Sequence, residues 1–150
     1  MAAIGTRNND SVATPADFYQ ALDEAYHFDH DPCPLNGTDG LDYNIPWGKS
    51  NYINPPYSNI KPFIVRAIHE MKTNGARSVM LVPSRPNARY VNELVYPNAH
   101  RIWFLSAQMK FAGYTTSLSH SLVLIVFEPD TENDRPFVDA ADDWLFVLGR

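Results

Sequence analysis

Apolar residues recur along this chain in two rhythms that alternate from about residue 14 to residue 127. Thr14-Pro15-Ala16-Asp17 offers an N-cap, a proline for the first helical position and an acid for the first turn, and Phe18, Ala21, Leu22 and Ala25 follow at helical spacing. A helix is predicted to about Tyr26. A second stripe begins after Ser58 with Phe63, Ile64, Ala67, Ile68 and Met71 and stops at Gly75. Tyr90, Val91, Leu94 and Val95 suggest a third helix. Strand-like segments lie between them. His27 to Asp31 reads as a short strand ended by Pro32-Cys33-Pro34, and Asn51 to Asn54 as a brief strand stopped by Pro55-Pro56. Asn36-Gly37-Thr38-Asp39-Gly40 is turn chemistry. Ser78 to Pro83 is a continuous apolar run, as expected of a strand buried on both faces, which points to a parallel sheet. Arg101 to Leu105 and Ser121 to Phe127 complete the strands. The expected architecture is an α/β sandwich with a mostly parallel sheet and an antiparallel C-terminal edge. Residues 1–13 read as a flexible leader and 14–150 as a single domain.

Length and composition agree: 150 residues, 45% of them hydrophobic, suit one domain with a core of its own. The longest apolar run, Leu122 to Phe127, is far short of a membrane span, and the first residues lack an apolar signal core. A lone cysteine, Cys33, can form no internal disulfide, so a cytoplasmic location is expected. The five histidines show no zinc-ligand spacing, and no metal is expected. The formal charge of −5 hides an uneven distribution. Nine of the twelve Lys and Arg residues fall between Lys49 and Lys110, against only Glu70 and Glu93. A local cationic face can meet a polyanion whatever the net charge, although such residues also solvate ordinary helix faces.

Asn54-Pro55-Pro56-Tyr57 sits where a strand ends and a helix begins, the place where open α/β sheets bind ligands. Its composition suits a planar amine such as the exocyclic nitrogen of adenine, whose lone pair is delocalised into the ring. The Asn54 amide oxygen and the Pro55 carbonyl can accept the two amine hydrogens and favour a pyramidal nitrogen. Two prolines stiffen that acceptor pair. Tyr57 offers a flat face for a base taken out of its duplex, a contact worth about 1–3 kcal/mol. A strand end, a terminator and a core aromatic would leave the same four residues.

Several stretches, in order, resemble the phage-type DNA N6-adenine methyltransferases. Thr14-Pro15 looks like that family's entry motif, and Phe28-Asp29-His30-Asp31-Pro32-Cys33 resembles its Asp-Pro-Cys cofactor element. Asp39-Gly40-Leu41, Trp47 and Asn54-Pro55-Pro56-Tyr57-Ser58 follow in the family's order. Met109-Lys110-Phe111 and Ser119-His120-Ser121 resemble its C-terminal hairpin. The resemblance implies a reduced Rossmann-like methyltransferase fold, S-adenosylmethionine as cofactor, DNA as partner and a phage or viral source. It implies that Thr14 and Asp31 hold the methionine end of the cofactor, that Asp39 accepts a hydrogen bond from its adenine, and that Pro15, Pro32, Cys33, Gly40 and Leu41 belong to the same cofactor site. Asn54, Pro55, Pro56 and Tyr57 would act on the base, with Lys49, Lys61, Arg85, Arg89 and Lys110 on the DNA backbone. Taken singly, Thr14-Pro15 is also a helix start, and Asp31-Pro32 and Asp39-Gly40 are also common turns.

One departure stands out. Only Leu35 to Thr38 separate Asp31-Pro32-Cys33-Pro34 from Asp39-Gly40-Leu41, where the family places a helix and a strand ending in an acid for the cofactor ribose. The ribose can be left exposed, Asp42 can substitute for that acid, or a second subunit can complete the pocket. No separate target-recognition domain is expected in these residues, which leaves loops such as Ser106 to Ser119, or another chain, to read a DNA sequence. A degenerate domain that binds nucleic acid or a protein without catalysis is the alternative. Methylation of a protein glutamine amide is a third reading, because that amide is planar too.

Overall fold

The computed structural model describes residues 6–7, 11–12, 14–34, 40–105, 121–129 and 136–141. The predicted helices and strands occupy most of that length. A short antiparallel pair, β1 (Thr6–Arg7) and β2 (Ser11–Val12), lies within the stretch expected as a leader. Helix α1 covers Ala16–Tyr26, buries Phe18, Ala21 and Leu22, and ends at His27 in the left-handed conformation, whose N–H reaches Asp23 O at 2.7 Å. The N-cap is Pro15, with no side-chain cap. The Thr14 hydroxyl, expected as a cap, is engaged elsewhere.

Strand β3 (Ser50–Ile53) is followed by a 3₁₀ turn (Tyr57–Asn59), helix α2 (Ile60–Asn74) and strand β4 (Arg77–Pro83), which pairs parallel to β3 with Ser50 opposite Arg77 and Ile53 opposite Met80. Gly75 ends α2 at φ 65°, its N–H on the Glu70 and Met71 carbonyls. No atom lies near a Cβ built there, so glycine serves the backbone conformation alone.

The predicted third helix is a π-helical turn (Val91–Val95) running into the single turn α3 (Tyr96–Asn98), where β-branched valines and Pro97 oppose a longer helix. Strands β5 (Arg101–Leu105), β6 (Leu122–Phe127) and β7 (Phe137–Ala141) complete a sheet of order β3-β4-β6-β5-β7.

This sheet corrects the expected direction of the strands. β6 runs antiparallel to both β4 and β5, while β3·β4 and β5·β7 are parallel, so the sheet is mixed and its antiparallel strand is central. An unbroken apolar run reports burial on both faces, which a central strand has whichever way its neighbours point; all six residues of β6 are buried. β7 was not foreseen because Phe137 and Val138 are exposed and leave no alternation to read. The predicted strand at His27–Asp31 shrinks to a single bridge between His30 and Asn51. There the Asp29 carboxylate accepts the Lys49 and Ser50 N–H groups, and Pro32 has no N–H with which to extend a ladder.

Alternation along the strands divides the core into two layers. Tyr52, Val79, Leu81, Trp103 and Leu124 pack with Phe18 and Leu22 of α1. Ile53, Met80, Val82 and Ile125 pack with Phe63, Ile64 and Ala67 of α2. Among the described residues no helix is long and apolar enough to cross a membrane.

Candidate functional site

The carboxyl end of β3 gathers the residues that the sequence singled out for chemistry. Because side chains alternate, Tyr52 and Asn54 share the α1 face, and Thr14 lies against both just before α1. Thr14 Oγ1 is 2.5 Å from the Tyr52 hydroxyl, and Asn54 Nδ2 donates to the same oxygen at 3.3 Å. All three residues are buried. A hydroxyl both donates and accepts, so Thr14 Oγ1 accepts the Asn54 bond while either hydroxyl can supply the hydrogen shared with Tyr52, and a Thr14 that donates keeps a lone pair for a ligand. Burial pushes the Tyr52 hydroxyl far above its ordinary pKa, the bond to Thr14 draws it back in part, and the Asp31 charge raises it further. Tyr52 is therefore a neutral hydroxyl at physiological pH. Burial also raises Tyr19, helped by Asp23 and Asp31. The Asp31 charge thus acts on both Tyr19 and Tyr52, and its Oδ1 accepts the Cys33 N–H at 2.9 Å in a tight turn.

With Nδ2 held by Thr14, the planar Asn54 amide turns its oxygen away from that hydroxyl. Pro55 is buried behind it, and Tyr57 is half-buried against the α2-side core. Cys33 and Leu41 pack on the same core cluster as Tyr57. Gly40 abuts the backbone of Pro32, where a Cβ would collide with the Pro32 carbonyl. This contact joins two sequence elements separated by the short link. Asp39, Lys110 and the whole stretch 106–120 lie outside the described residues.

The cations assigned to DNA scatter. Arg85 is exposed two residues past β4, at the same end of the sheet as Asn54 because β3 and β4 are parallel. Lys61 is exposed in the first turn of α2, close in sequence to Tyr57. Arg89 forms an exposed pair with Glu93 at 3.0 Å, worth little energetically. Lys49 sits at the opposite end of β3, beside a polar hollow of about 400 Å³ lined by Asp29, Trp47, Glu70 and Asn74. Arg66, one of the nine cations of the basic stretch, is buried and contributes nothing to a surface.

Sequence reasoning missed two participants. Tyr52 reads as a strand aromatic, and only the period-2 step to Asn54 could have flagged it. Arg66 sits among apolar positions of α2, and a cation on a predicted buried stripe was the available signal. Its guanidinium donates to Glu70 Oε2 at 2.8 Å and to the Gly40, Asp42 and Ile45 carbonyls at 3.1, 3.2 and 2.9 Å. Desolvation pushes the Glu70 carboxyl up, but bonds from Asn74 and Arg66 and the Arg66 charge outweigh it and hold the group below its ordinary value. Among the described residues no cluster of His, Cys, Asp and Glu could hold a metal ion.

A family model described as DNA N-6-adenine-methyltransferase (Dam) matches residues 3–137, nearly the whole chain. The chain belongs to this family. The match takes in α1, the Asn54 loop, the central sheet and the first residue of β7. A mixed sheet with flanking helices agrees with a Rossmann-like methyltransferase fold at family level. No curated protein and no solved structure matches the chain.

Proposed function

We propose that this protein transfers a methyl group from S-adenosylmethionine to the exocyclic N6 amine of adenine in DNA. The hydrogen-bonded chain Tyr52–Thr14–Asn54 carries this reading, because it fixes a buried amide at a strand end, and the Asp31 charge acts on the Tyr52 hydroxyl of the same chain. The donor set fits the cofactor: a carboxylate and a hydroxyl oxygen are acceptors for the ammonium of an amino-acid end. Thr14 and Asp31 would hold that end, with Pro15, Pro32 and Cys33 shaping the turn around it. Asp39, Gly40 and Leu41 would hold the adenine. When bound, S-adenosylmethionine supplies an electrophilic methyl group on a sulfonium.

Asn54 Oδ1 and the Pro55 carbonyl accept the two hydrogens of the target amine and draw its lone pair out of conjugation. Pro56 keeps the acceptor pair rigid, and the Tyr57 ring stacks on the base. The amine lone pair would form the new nitrogen–carbon bond as the methyl–sulfur bond breaks, the electron pair staying on sulfur as a neutral thioether, and the surplus nitrogen proton then passes to water. Positioning supplies most of the rate. Lys61 and Arg85 engage phosphates flanking the flipped base, whereas Lys49 contacts the backbone only if the duplex extends along the molecule.

Asn54→Ala is the deciding variant. Methyl transfer to DNA, followed with labelled methyl groups, is expected to fall about 10²–10³-fold, the usual loss for one transition-state hydrogen-bonding group. Cofactor affinity measured by calorimetry is expected to stay near the parent value. Full activity in this variant would remove the mechanism.

A further inference from the structure

We propose that Arg66 is a positioning residue for cofactor binding: by clamping residues 40–47 it holds Gly40 and Leu41 in the conformation that receives the cofactor adenine. The inference rests on the function proposed above. Arg66 is 1% exposed, and every edge of its guanidinium is engaged. Nε serves Glu70, Nη1 serves the Gly40 and Asp42 carbonyls, and Nη2 serves the Ile45 carbonyl. The guanidinium carbon lies 4.3 Å from the Tyr43 ring centre and 5.0 Å from that of Trp47. Trp47 Nε1 is a second donor to the Gly40 carbonyl, at 2.9 Å.

Glu70 alone does not account for this burial, since an i,i+4 pair on α2 could form at the surface. Burying the charge is tolerable only because each guanidinium nitrogen finds an acceptor, and three of those acceptors belong to an irregular segment outside the named strands and helices. What the guanidinium immobilises is therefore backbone. Through Gly40 the clamp continues to Pro32, whose carbonyl leaves no room for a Cβ, and so to the Asp31 turn. Four residues between Pro34 and Asp39 leave no length for a helix and a strand, so side chains must order this part of the pocket.

If losing the clamp reduces the binding-competent conformation to about a tenth of the population, the apparent Kd rises about tenfold. Saturating cofactor restores that population, so kcat is retained. The test compares the parent protein with Arg66→Lys, which keeps the charge but cannot span three carbonyls, and Trp47→Phe, which removes the second Gly40 donor and spares the Arg66–Glu70 pair. Calorimetry with S-adenosylmethionine, steady-state methyl transfer and thermal melting are run on all three full chains. The expected result is a raised Kd and a raised KM for the cofactor at unchanged kcat in both variants. Hydrogen exchange on the parent protein without cofactor should show protected amides within residues 41–45.

Parent-like Kd in a folded Arg66→Lys overturns the clamp, and if that variant does not fold, parent-like Kd in Trp47→Phe overturns it. Unprotected amides in residues 41–45 of the parent protein overturn it as well. Failure of the parent protein itself to bind cofactor overturns the proposed function along with the clamp, whereas binding by parent and variants alike overturns the clamp alone.

Discussion

β3 has a buried polar cluster on each face, and the two are built differently. On the α1 face Tyr52, Thr14 and Asn54 form a neutral chain of hydrogen bonds. On the α2 face Arg66 and Glu70 form an ion pair whose remaining donors are spent on the backbone of residues 40–47. Neutral bonds inside a protein each contribute about 1 kcal/mol and reorient at modest cost, whereas a buried charge must be fully matched or it destabilises the fold. The difference assigns roles. The neutral cluster aims an amide at the end of a strand, where a ligand can enter, and the ionic cluster anchors irregular chain that has no ladder of its own.

The largest expected effect is on the ionic side. Arg66→Met strands the Glu70 carboxylate and three carbonyls, and denaturant unfolding is expected to show a loss of about 3–5 kcal/mol. Arg66→Met/Glu70→Leu should recover much of that loss. A single-variant loss below about 1 kcal/mol would mean that the segment is held by something else. On the neutral side, Thr14→Val removes the hydroxyl that makes both bonds and is expected to cost about 1–3 kcal/mol. It should lower methyl transfer as well, and Thr14→Ser should restore both; equal activity in Thr14→Val would detach Thr14 from the site.

Titration separates the faces more gently. Glu70 has its folded pKa below the ordinary 4.5, so the stability it contributes is complete above that value and is lost as pH falls through the folded one. Tyr19, Tyr26 and Tyr52 pack on the α1 side and have raised pKa values, chiefly through burial, with Tyr26 at about 12. Their contribution is complete below pH 10 and fades as pH rises toward 12, because the unfolded phenols ionise first. Urea melts across pH should therefore show an acid limb reduced by Glu70→Gln and an alkaline limb reduced by Tyr52→Phe. The smallest effect belongs to a position in neither cluster: Gly75→Ala is expected to cost about 1 kcal/mol from its positive φ alone, without altering cofactor binding.

Legibility followed the range of the forces involved. α1 and α2 follow from apolar spacing and local stop signals, and Asn54-Pro55-Pro56-Tyr57 was found because its four residues are contiguous. The directions of β6 and its neighbours were not legible, since side-chain burial is the same beside a parallel or an antiparallel partner. β7 left no pattern because its apolar side chains Phe137 and Val138 stay in water. Arg66 counted as one more cation in a basic stretch, and the three carbonyls it binds lie 21 to 26 residues away in the chain.

The sequence by itself therefore determined the helical and strand periods, the candidate loop between β3 and α2, and the family, all of which rest on local spacing or on motif order. Only the tertiary structure decided that the central strand is antiparallel, that the Thr14 hydroxyl serves Asn54 and Tyr52 rather than its helix, and that Arg66 faces the core. Hydrogen-bond partners far apart in sequence leave no period behind, and they are chosen by which buried polar groups the packed layers bring within 3 Å or so of one another.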